Sequence, residues 1–217
     1  QKFPGVKVIV EPSVKRCFPD KDYITKGVEV AEKMDECDIL MGIKEVPVQE
    51  LTSDKTYFFF SHTIKKQPHN RKLLKRMLEL NITMVDYETL TDTKGNRLIA
   101  FGRYAGIVGC YNGFRAYGEK FGVYKLKPAH QCLDQAEMEK ELHKIKLPSS
   151  FKIVITGTGR VGGGCAEVFH TMKIREVSPK EFLTQTFFEP VFTILRTGDY
   201  YQQANGAEFV AEEFHKD

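Results

Sequence analysis

The feature that most constrains the fold is a glycine-rich turn between an apolar strand and a helix. Lys152–Thr156 has the pattern of a compact buried strand, residues 157–162 follow with the spacing GxGxxG, and residues 165–172 have the pattern of a helix. Glycines at such a turn let the backbone approach a pyrophosphate, whose charge then lies at the helix N-terminus. The order of strand, turn and helix predicts a nicotinamide-dinucleotide site, with a tight turn that binds nothing as the alternative.

We expect the cofactor to contact the residues of this turn: Gly157, Thr158, Gly159, Arg160, Val161 and Gly162. A Rossmann unit usually places an acidic residue on the ribose hydroxyls at the end of the next strand. That strand is predicted near residues 174–177, so the expected position is Ser178, which is not acidic. Because Arg175 and Lys180 lie nearby, a 2′-phosphate is compatible with this segment. Both NAD and NADP therefore stay open as the cofactor.

The chain before this turn alternates predicted strands with predicted helices. Strands are predicted at residues 6–10, 38–43, 56–60 and 82–85, and helices from Asp20 to Met34 and after Pro68. This alternation predicts βαβ units and a largely parallel sheet. A longer helix is predicted at residues 104–121, where the glycines at 106, 109, 113 and 118 would let another element pack closely.

The predicted fold class is α/β, with two Rossmann-like domains that have largely parallel sheets, the second of them incomplete. Residues 1–127 are expected to form an N-terminal substrate and catalytic domain. Residues 128–150 are expected to connect the domains through a helical segment, and residues 151–217 to form the partial NAD(P)-binding domain. After residue 187, only Val191–Leu195 has a clear strand pattern.

Composition excludes several classes of protein. A formal net charge of +3 over 217 residues is too small to indicate a nucleic-acid or membrane partner, and no apolar run is long enough to span a bilayer. The five cysteines and six histidines lack the spacing of metal ligands, so no metal site is expected. Unpaired cysteines indicate a reducing, cytoplasmic location. Because the chain opens at Gln1 directly before a strand, we expect a trimmed N-terminus, which leaves any targeting peptide open.

Three predicted strands deliver polar side chains to one edge of the first sheet. Their ends carry Lys44-Glu45, Ser61-His62 and Asp86-Tyr87-Glu88. Because the carboxyl ends of parallel strands meet at the same edge, these groups are expected to share a crevice. An amine, an imidazole and carboxylates suffice for general acid–base catalysis. The alternative for each residue taken singly is a solvated loop side chain.

Several of these segments resemble the saccharopine dehydrogenase family. The resemblance lies in Phe59-Phe60-Ser61-His62-Thr63-Ile64-Lys65, Gly42-Ile43-Lys44, Asp86-Tyr87-Glu88, residues 100–106 and residues 156–159. The segment at residues 58–67 is the most specific part. The lysine-ketoglutarate reductase modules of bifunctional lysine-degrading enzymes are the most similar members, and the wider group includes alanine dehydrogenase and transhydrogenase. The resemblance implies the interconversion of lysine plus 2-oxoglutarate with saccharopine, using NAD(P)H.

The resemblance also implies roles for individual residues. Lys44 and His62 would be the acid–base pair. Lys65, Arg97 and Arg103 would bind substrate carboxylates through charge-assisted hydrogen bonds. Glu88 would bind the amino group of the substrate, and Tyr104 would line the site.

Two departures from the family pattern stand out. The arginine that the family carries after its first strand would precede Gln1, and further βα units would follow the last one present. We therefore expect this chain to lack parts of a complete enzyme. An alanine dehydrogenase or transhydrogenase-like protein and a non-catalytic nucleotide-binding module remain as alternatives. The oligomeric state is open, and a mitochondrial location stays open if the source is an animal.

Overall fold

The structure is a computed structural model that describes residues 4–207 and 209–214. Gln1, on which the expectation of a trimmed N-terminus rests, lies outside these residues, as do the last three residues of the predicted second domain. The chain forms two compact units, Gln1–Ala100 and Phe101–Asp217. Among the described residues, no helix has both the length and the apolar character required to cross a bilayer.

The first unit is built on parallel strands. Its elements are β1 (Ile9–Val10), α1 (Asp20–Thr25), β2 (Glu29–Val30), β3 (Ile39–Met41), β4 (Thr56–Phe59), α2 (Arg71–Glu79) and β5 (Thr83–Asp86). β1 pairs with β2, and a separate sheet has the order β3-β4-β5, with every pair parallel. The prediction of an α/β fold with parallel sheets is confirmed.

The apolar pattern of β4 explains its central position in this sheet. Tyr57 and Phe59 are buried, and they pack with Leu73 and Met77 of α2. These two residues of α2 lie four positions apart and therefore share one face of the helix. The basic residues of α2 are left on its other face, as expected for an amphipathic surface helix.

The helix predicted from Asp20 to Met34 is wrong beyond its first turns. α1 ends at Thr25, and Gly27 adopts a φ of 75°, which a continuing right-handed helix does not allow. β2 follows directly and pairs with β1, with Val10 opposite Val30. The helical spacing of the apolar residues was accidental, because Gly27 and the β-branched valines favour a turn and a strand.

The second unit contains the glycine-rich turn. Its elements are α3 (Gly102–Phe121), α4 (Gln135–Leu142), β6 (Lys152–Thr156), α5 (Arg160–Thr171), β7 (Arg175–Glu176), α6 (Pro179–Thr184), β8 (Val191–Leu195) and α7 (Ala211–Phe214). β6 and β8 have the bounds predicted from sequence. By its contacts the long helix α3 belongs to this unit, whereas the predicted first domain included it. The domain division at residues 127 and 150 stays a prediction.

The strands of this unit have the parallel order β6-β8-β7. β7 is thus the next strand after β6 along the chain, but β8 lies between them in the sheet. Val191 and Phe192 of β8 are fully buried, whereas both residues of β7 are exposed. Burial on both faces favours the apolar strand at the centre and leaves the polar one at the edge.

Close packing of α3 against α5 dominates the second unit. A Cβ atom at Gly106 would overlap the carbonyl oxygen of Val161, and one at Gly164 would overlap that of Arg103. Gly118 likewise lies against the ring of Tyr124, whereas a Cβ at Gly109 or Gly113 would meet no atom within 4 Å. Of the glycines predicted to allow close packing, the first and the last therefore do so.

This difference predicts opposite effects of the same substitution in one helix. Gly106→Ala should lower the free energy of unfolding by about 1–3 kcal/mol, because the added methyl group forces the α3 and α5 backbones apart. Gly113→Ala is the matched control. It should raise the free energy of unfolding by about 0.5–1 kcal/mol, because alanine favours a helix and space is open at this position. Urea denaturation measures both, and equal effects of the two substitutions would contradict this packing.

Candidate functional site

The carboxyl ends of β3, β4 and β5 form the first candidate site. Backbone hydrogen bonds continue the sheet past β3, from Gly42 N to Phe58 O (2.8 Å) and from Phe60 N to Ile43 O (3.0 Å). Lys44 comes one residue after this ladder, with its side chain exposed. The predicted strand ends thus lie along one sheet edge within the first unit.

A buried hydrogen bond joins the ends of β4 and β5. The Ser61 hydroxyl donates to Asp86 Oδ2 at 2.5 Å, and Asp86 Oδ1 accepts from the backbone N–H of Glu88 at 2.8 Å. Ser61 is fully buried and Asp86 is 7% exposed. Since both carboxylate oxygens are used, Asp86 braces the sheet edge and orients the turn that carries Glu88.

His62 follows this brace in a strained backbone conformation. Its φ is 56°, in the left-handed region, which costs a non-glycine residue roughly 1–2 kcal/mol. The buried Asn70 donates from its side chain to the His62 carbonyl at 3.3 Å. The His62 Nδ1 atom lies 3.9 Å from Glu45 Oε2. The imidazole is thereby directed beside the end of β3.

The Glu88 carboxylate forms ion pairs with two cationic side chains at this edge. Its Oε1 atom lies 3.3 Å from Lys65 Nζ and 3.1 Å from Arg97 Nη2. The Glu88 side chain is only 4% exposed, whereas both cationic side chains are nearly half exposed. Its Oε2 atom is buried and has no hydrogen-bond partner among the described residues. A buried carboxylate oxygen in this state favours a donor from a bound molecule.

The aromatic rings of Phe60 and Tyr87 pack together, and Tyr87 directly precedes Glu88 in the sequence. The Tyr87 ring packs edge-on against Phe60 at a centroid distance of 5.3 Å. Burial raises the pKa of the Tyr87 hydroxyl, so the group stays neutral over the physiological range. Apolar surface beside a few oriented polar groups is typical of small-molecule sites.

The glycine-rich turn in the second unit forms the other candidate site. Gly157 has a φ of 93°, which favours glycine, and its N–H donates to Leu195 O at 2.8 Å. A Cβ at Gly162 would overlap the Gly157 carbonyl, so this glycine lets the helix start close to the strand. Both residues have structural reasons to be glycine.

Gly159 differs from these two glycines. Its φ of −75° suits any residue, and a Cβ there would meet no described atom within 4 Å. Gly159 is also the N-cap of α5, whose first turn carries neither a side-chain cap nor an acidic residue among the described residues. Uncapped N–H groups and the helix dipole attract an anion. The open space at Gly159 is therefore where a phosphate group fits. Thr158, Arg160 and Val161 are exposed around it.

The remaining predicted site residues lie elsewhere in the second unit. Arg103 forms a bidentate pair with Glu167, at 2.7 Å (Nε–Oε1) and 2.6 Å (Nη2–Oε2). This hydrogen bonding raises the pKa of Arg103 and lowers that of Glu167. Tyr104 is exposed beside the Arg103 guanidinium. Ser178 caps α6, where its hydroxyl accepts from Glu181 N at 3.2 Å.

Asn70 is the residue of the first site that sequence reasoning missed. It follows a proline and precedes an amphipathic helix, which indicates only a helix start. Its contact with His62 spans eight positions and depends on the left-handed turn at His62. No local pattern in the sequence predicts the left-handed conformation at His62.

Comparison with known proteins agrees with this architecture. Residues 2–108 match the sequence model of the family described as "Alanine dehydrogenase/PNT, N-terminal domain". A solved structure of an L-alanine dehydrogenase superposes with a TM-score of 0.55 and 16% identity, over 87% of this chain and 52% of that one. At this identity the superposition shows the fold alone.

Curated relatives narrow the family. Alpha-aminoadipic semialdehyde synthase of Mus musculus, named as mitochondrial, is 36% identical over 194 residues, covering 82% of this chain and 21% of that protein. The Arabidopsis thaliana protein of the same name is 30% identical over 201 residues. Saccharopine dehydrogenase [NAD(+), L-lysine-forming] of Yarrowia lipolytica is 27% identical over 193 residues, covering 79% of this chain and 51% of that protein.

The superposition shows the fold of an alanine dehydrogenase, and residues 2–108 match the N-terminal domain of that class. The curated relatives show that the chain belongs to the saccharopine dehydrogenase family. It spans about a fifth of the length of the semialdehyde synthases and about half of the Yarrowia lipolytica dehydrogenase.

Proposed function

We propose that this chain is part of an NAD(P)-dependent oxidoreductase that interconverts L-lysine plus 2-oxoglutarate with saccharopine. The observation that carries the proposal is the shared sheet edge in the first unit, where the His62–Glu45 and Lys65–Glu88 pairs follow strand ends joined by a buried hydrogen bond. The name of the Yarrowia lipolytica relative, which includes NAD(+) and lysine formation, supports the same chemistry. Small molecules are the proposed substrates.

The glycine-rich turn would hold the cofactor. The N–H groups at the start of α5 and the open space at Gly159 fit a pyrophosphate, while Gly157 and Gly162 keep the turn tight. When bound, NAD(P) supplies a hydride to the substrate carbon or accepts one from it.

Glu88, Lys65 and Arg97 would bind the charged groups of the substrate. The buried Oε2 atom of Glu88 can accept a hydrogen bond from an amino group. Lys65 and Arg97 remain nearly half exposed while they contact Oε1, so each can also reach a substrate carboxylate. Amino acids and 2-oxo acids carry these groups. The cluster therefore suits such substrates better than neutral ones.

Lys44 and His62 would move the protons of the reaction. In the direction of saccharopine formation, the ε-amine of lysine attacks the keto carbon of 2-oxoglutarate, and the carbonyl oxygen leaves as water. That step requires a base for the attacking ammonium group and an acid for the leaving oxygen. In the reverse direction a base removes the proton of the secondary amine, and the other group assists the addition of water. An imidazole performs either transfer near neutral pH.

Arg103 and Tyr104 are two further residues proposed to contact the substrate. As a substrate clamp, Arg103 would have to exchange Glu167 for a substrate carboxylate, because its guanidinium is already bound at two nitrogens. Tyr104 is 56% exposed. Ser178 remains a proposed cofactor contact, although its hydroxyl is engaged in capping α6.

An alanine dehydrogenase-like activity is the second candidate. It is favoured by the matching N-terminal domain model and by the superposition on L-alanine dehydrogenase. A smaller substrate with one carboxylate would need only one cation of the Lys65–Arg97 pair.

We propose a cytoplasmic location, or a mitochondrial one for an animal source, in line with the name of the mouse relative.

Substitution of the proposed acid–base pair tests the first site. In the complete enzyme of which this chain is proposed to be part, Lys44→Met and His62→Asn should each lower turnover by about 10²–10⁴-fold and leave cofactor affinity unchanged. Asparagine is chosen at position 62 because it tolerates the left-handed φ. Lys72→Met and His69→Gln, both exposed, are the matched controls. Steady-state oxidation of NADH or NADPH with lysine and 2-oxoglutarate measures the effect. Near-native turnover in both test variants would remove these residues from the mechanism.

Substitution of Gly159 tests the second site. Gly159→Val should weaken the binding of the preferred dinucleotide, NADH or NADPH, by at least about tenfold, or 1.4 kcal/mol, because the side chain fills the space for a phosphate. Its extended backbone accepts valine, so the folded structure should persist. Gly163→Ala, where space is also open, should leave affinity unchanged. Fluorescence titration gives the two dissociation constants. Unchanged affinity in folded Gly159→Val would show that no phosphate binds there.

A further inference from the structure

The segment that follows β8 lies next to the glycine-rich turn. The paired strands end with Thr156 opposite Leu195, and the next hydrogen bond joins Gly157 N to Leu195 O at 2.8 Å. The chain then enters a short 3₁₀ turn, Thr197–Asp199. β8 is therefore the strand next to the glycine-rich turn, and Arg196 is the first residue after β8.

This position is where a dinucleotide-binding unit recognises the adenosine ribose. With the pyrophosphate at the helix N-terminus, the adenosine extends across the neighbouring strand, and a side chain at the end of that strand contacts the ribose hydroxyls. In sequence order the neighbour is β7, which leads to Ser178. In space it is β8, because the sheet order is β6-β8-β7. Ser178 therefore follows the strand that is not adjacent to β6.

Asp199 supplies the acidic group at the end of β8. Its Oδ2 atom accepts from the backbone N–H of Arg196 at 2.6 Å, which places the carboxylate at the strand end. Both residues are exposed to solvent. A carboxylate here accepts hydrogen bonds from the vicinal hydroxyls of a ribose and repels a 2′-phosphate. Ser178, by contrast, donates its hydroxyl to Glu181 Oε2 at 2.7 Å within the cap of α6.

We propose that Asp199 is the residue that recognises the adenine ribose and makes the site prefer NAD(H) to NADP(H). The proposal rests on the proposed dinucleotide binding and identifies its specificity-determining residue. Arg196, in the same turn, carries the opposite charge and suits a 2′-phosphate. Neutralising Asp199 should therefore remove the preference and raise the affinity for NADPH.

The test is a fluorescence titration of the 217-residue chain with NADH and with NADPH. The unaltered protein should bind NADH at least about tenfold more tightly than NADPH. In Asp199→Asn the ratio should fall at least about tenfold. Asparagine retains an acceptor for the Arg196 N–H, so a role limited to closing the turn would leave the ratio unchanged. Asp134→Asn is the matched control: it neutralises an exposed carboxylate that caps α4, preserves an N-cap residue and should keep the native ratio.

The other outcomes overturn either the assignment of Asp199 or the proposed function. A native ratio in folded Asp199→Asn, or an equal change of the ratio in Asp134→Asn, would overturn the assignment of Asp199 and leave dinucleotide binding intact. Equal binding of NADH and NADPH by the unaltered protein would do the same. Binding of neither dinucleotide would overturn the proposed function itself.

Discussion

The close approach of α3 and α5 is the contact on which the second unit depends. Gly106 and Gly164 leave backbone against backbone at the two crossing points, so the helices approach to a distance that any side chain would prevent. Cys110 and Cys165 form a hydrogen bond in the same packing, which together with burial raises the pKa of Cys110. Because α5 is fixed along its length, its N-terminus stays beside the end of β6. A preformed helix start binds an anion without the cost of ordering it.

A different constraint organises the first unit. The Ser61–Asp86 hydrogen bond is buried, and a buried carboxylate without partners would be costly. Asp86 avoids that cost by accepting from Ser61 and from the backbone of Glu88, and this arrangement ties the two strand ends together. The strain at His62 is located directly after the brace, where neighbouring contacts can offset it. The proposed chemical groups are thus held by a structural carboxylate that needs no catalytic role.

The sequence predicted those parts of the structure that depend on local pattern. Both strands are apolar runs with a clear boundary in the sequence. β6 ends directly before Gly157, and β8 begins directly after Pro190. Two features of the second unit were not predicted, because they depend on residues far apart in the sequence. The order β6-β8-β7 follows from the burial of β8, and order along the chain does not reveal it. The pairing of Arg103 with Glu167, 64 positions apart, likewise has no local signal. The strand-end rule located the groups at one edge, but not the contacts among them.

The most direct measurement of the central claim is product analysis by mass spectrometry, after incubation of the complete enzyme that contains this chain with lysine, 2-oxoglutarate and NADH or NADPH. The proposed function predicts saccharopine, formed in equal amount to the reduced cofactor consumed and only when both carbon substrates are present. Alanine formed from pyruvate and ammonia, with no saccharopine from lysine and 2-oxoglutarate, would contradict the claim and favour an alanine dehydrogenase-like activity. Dinucleotide binding without either product would indicate a binding module instead.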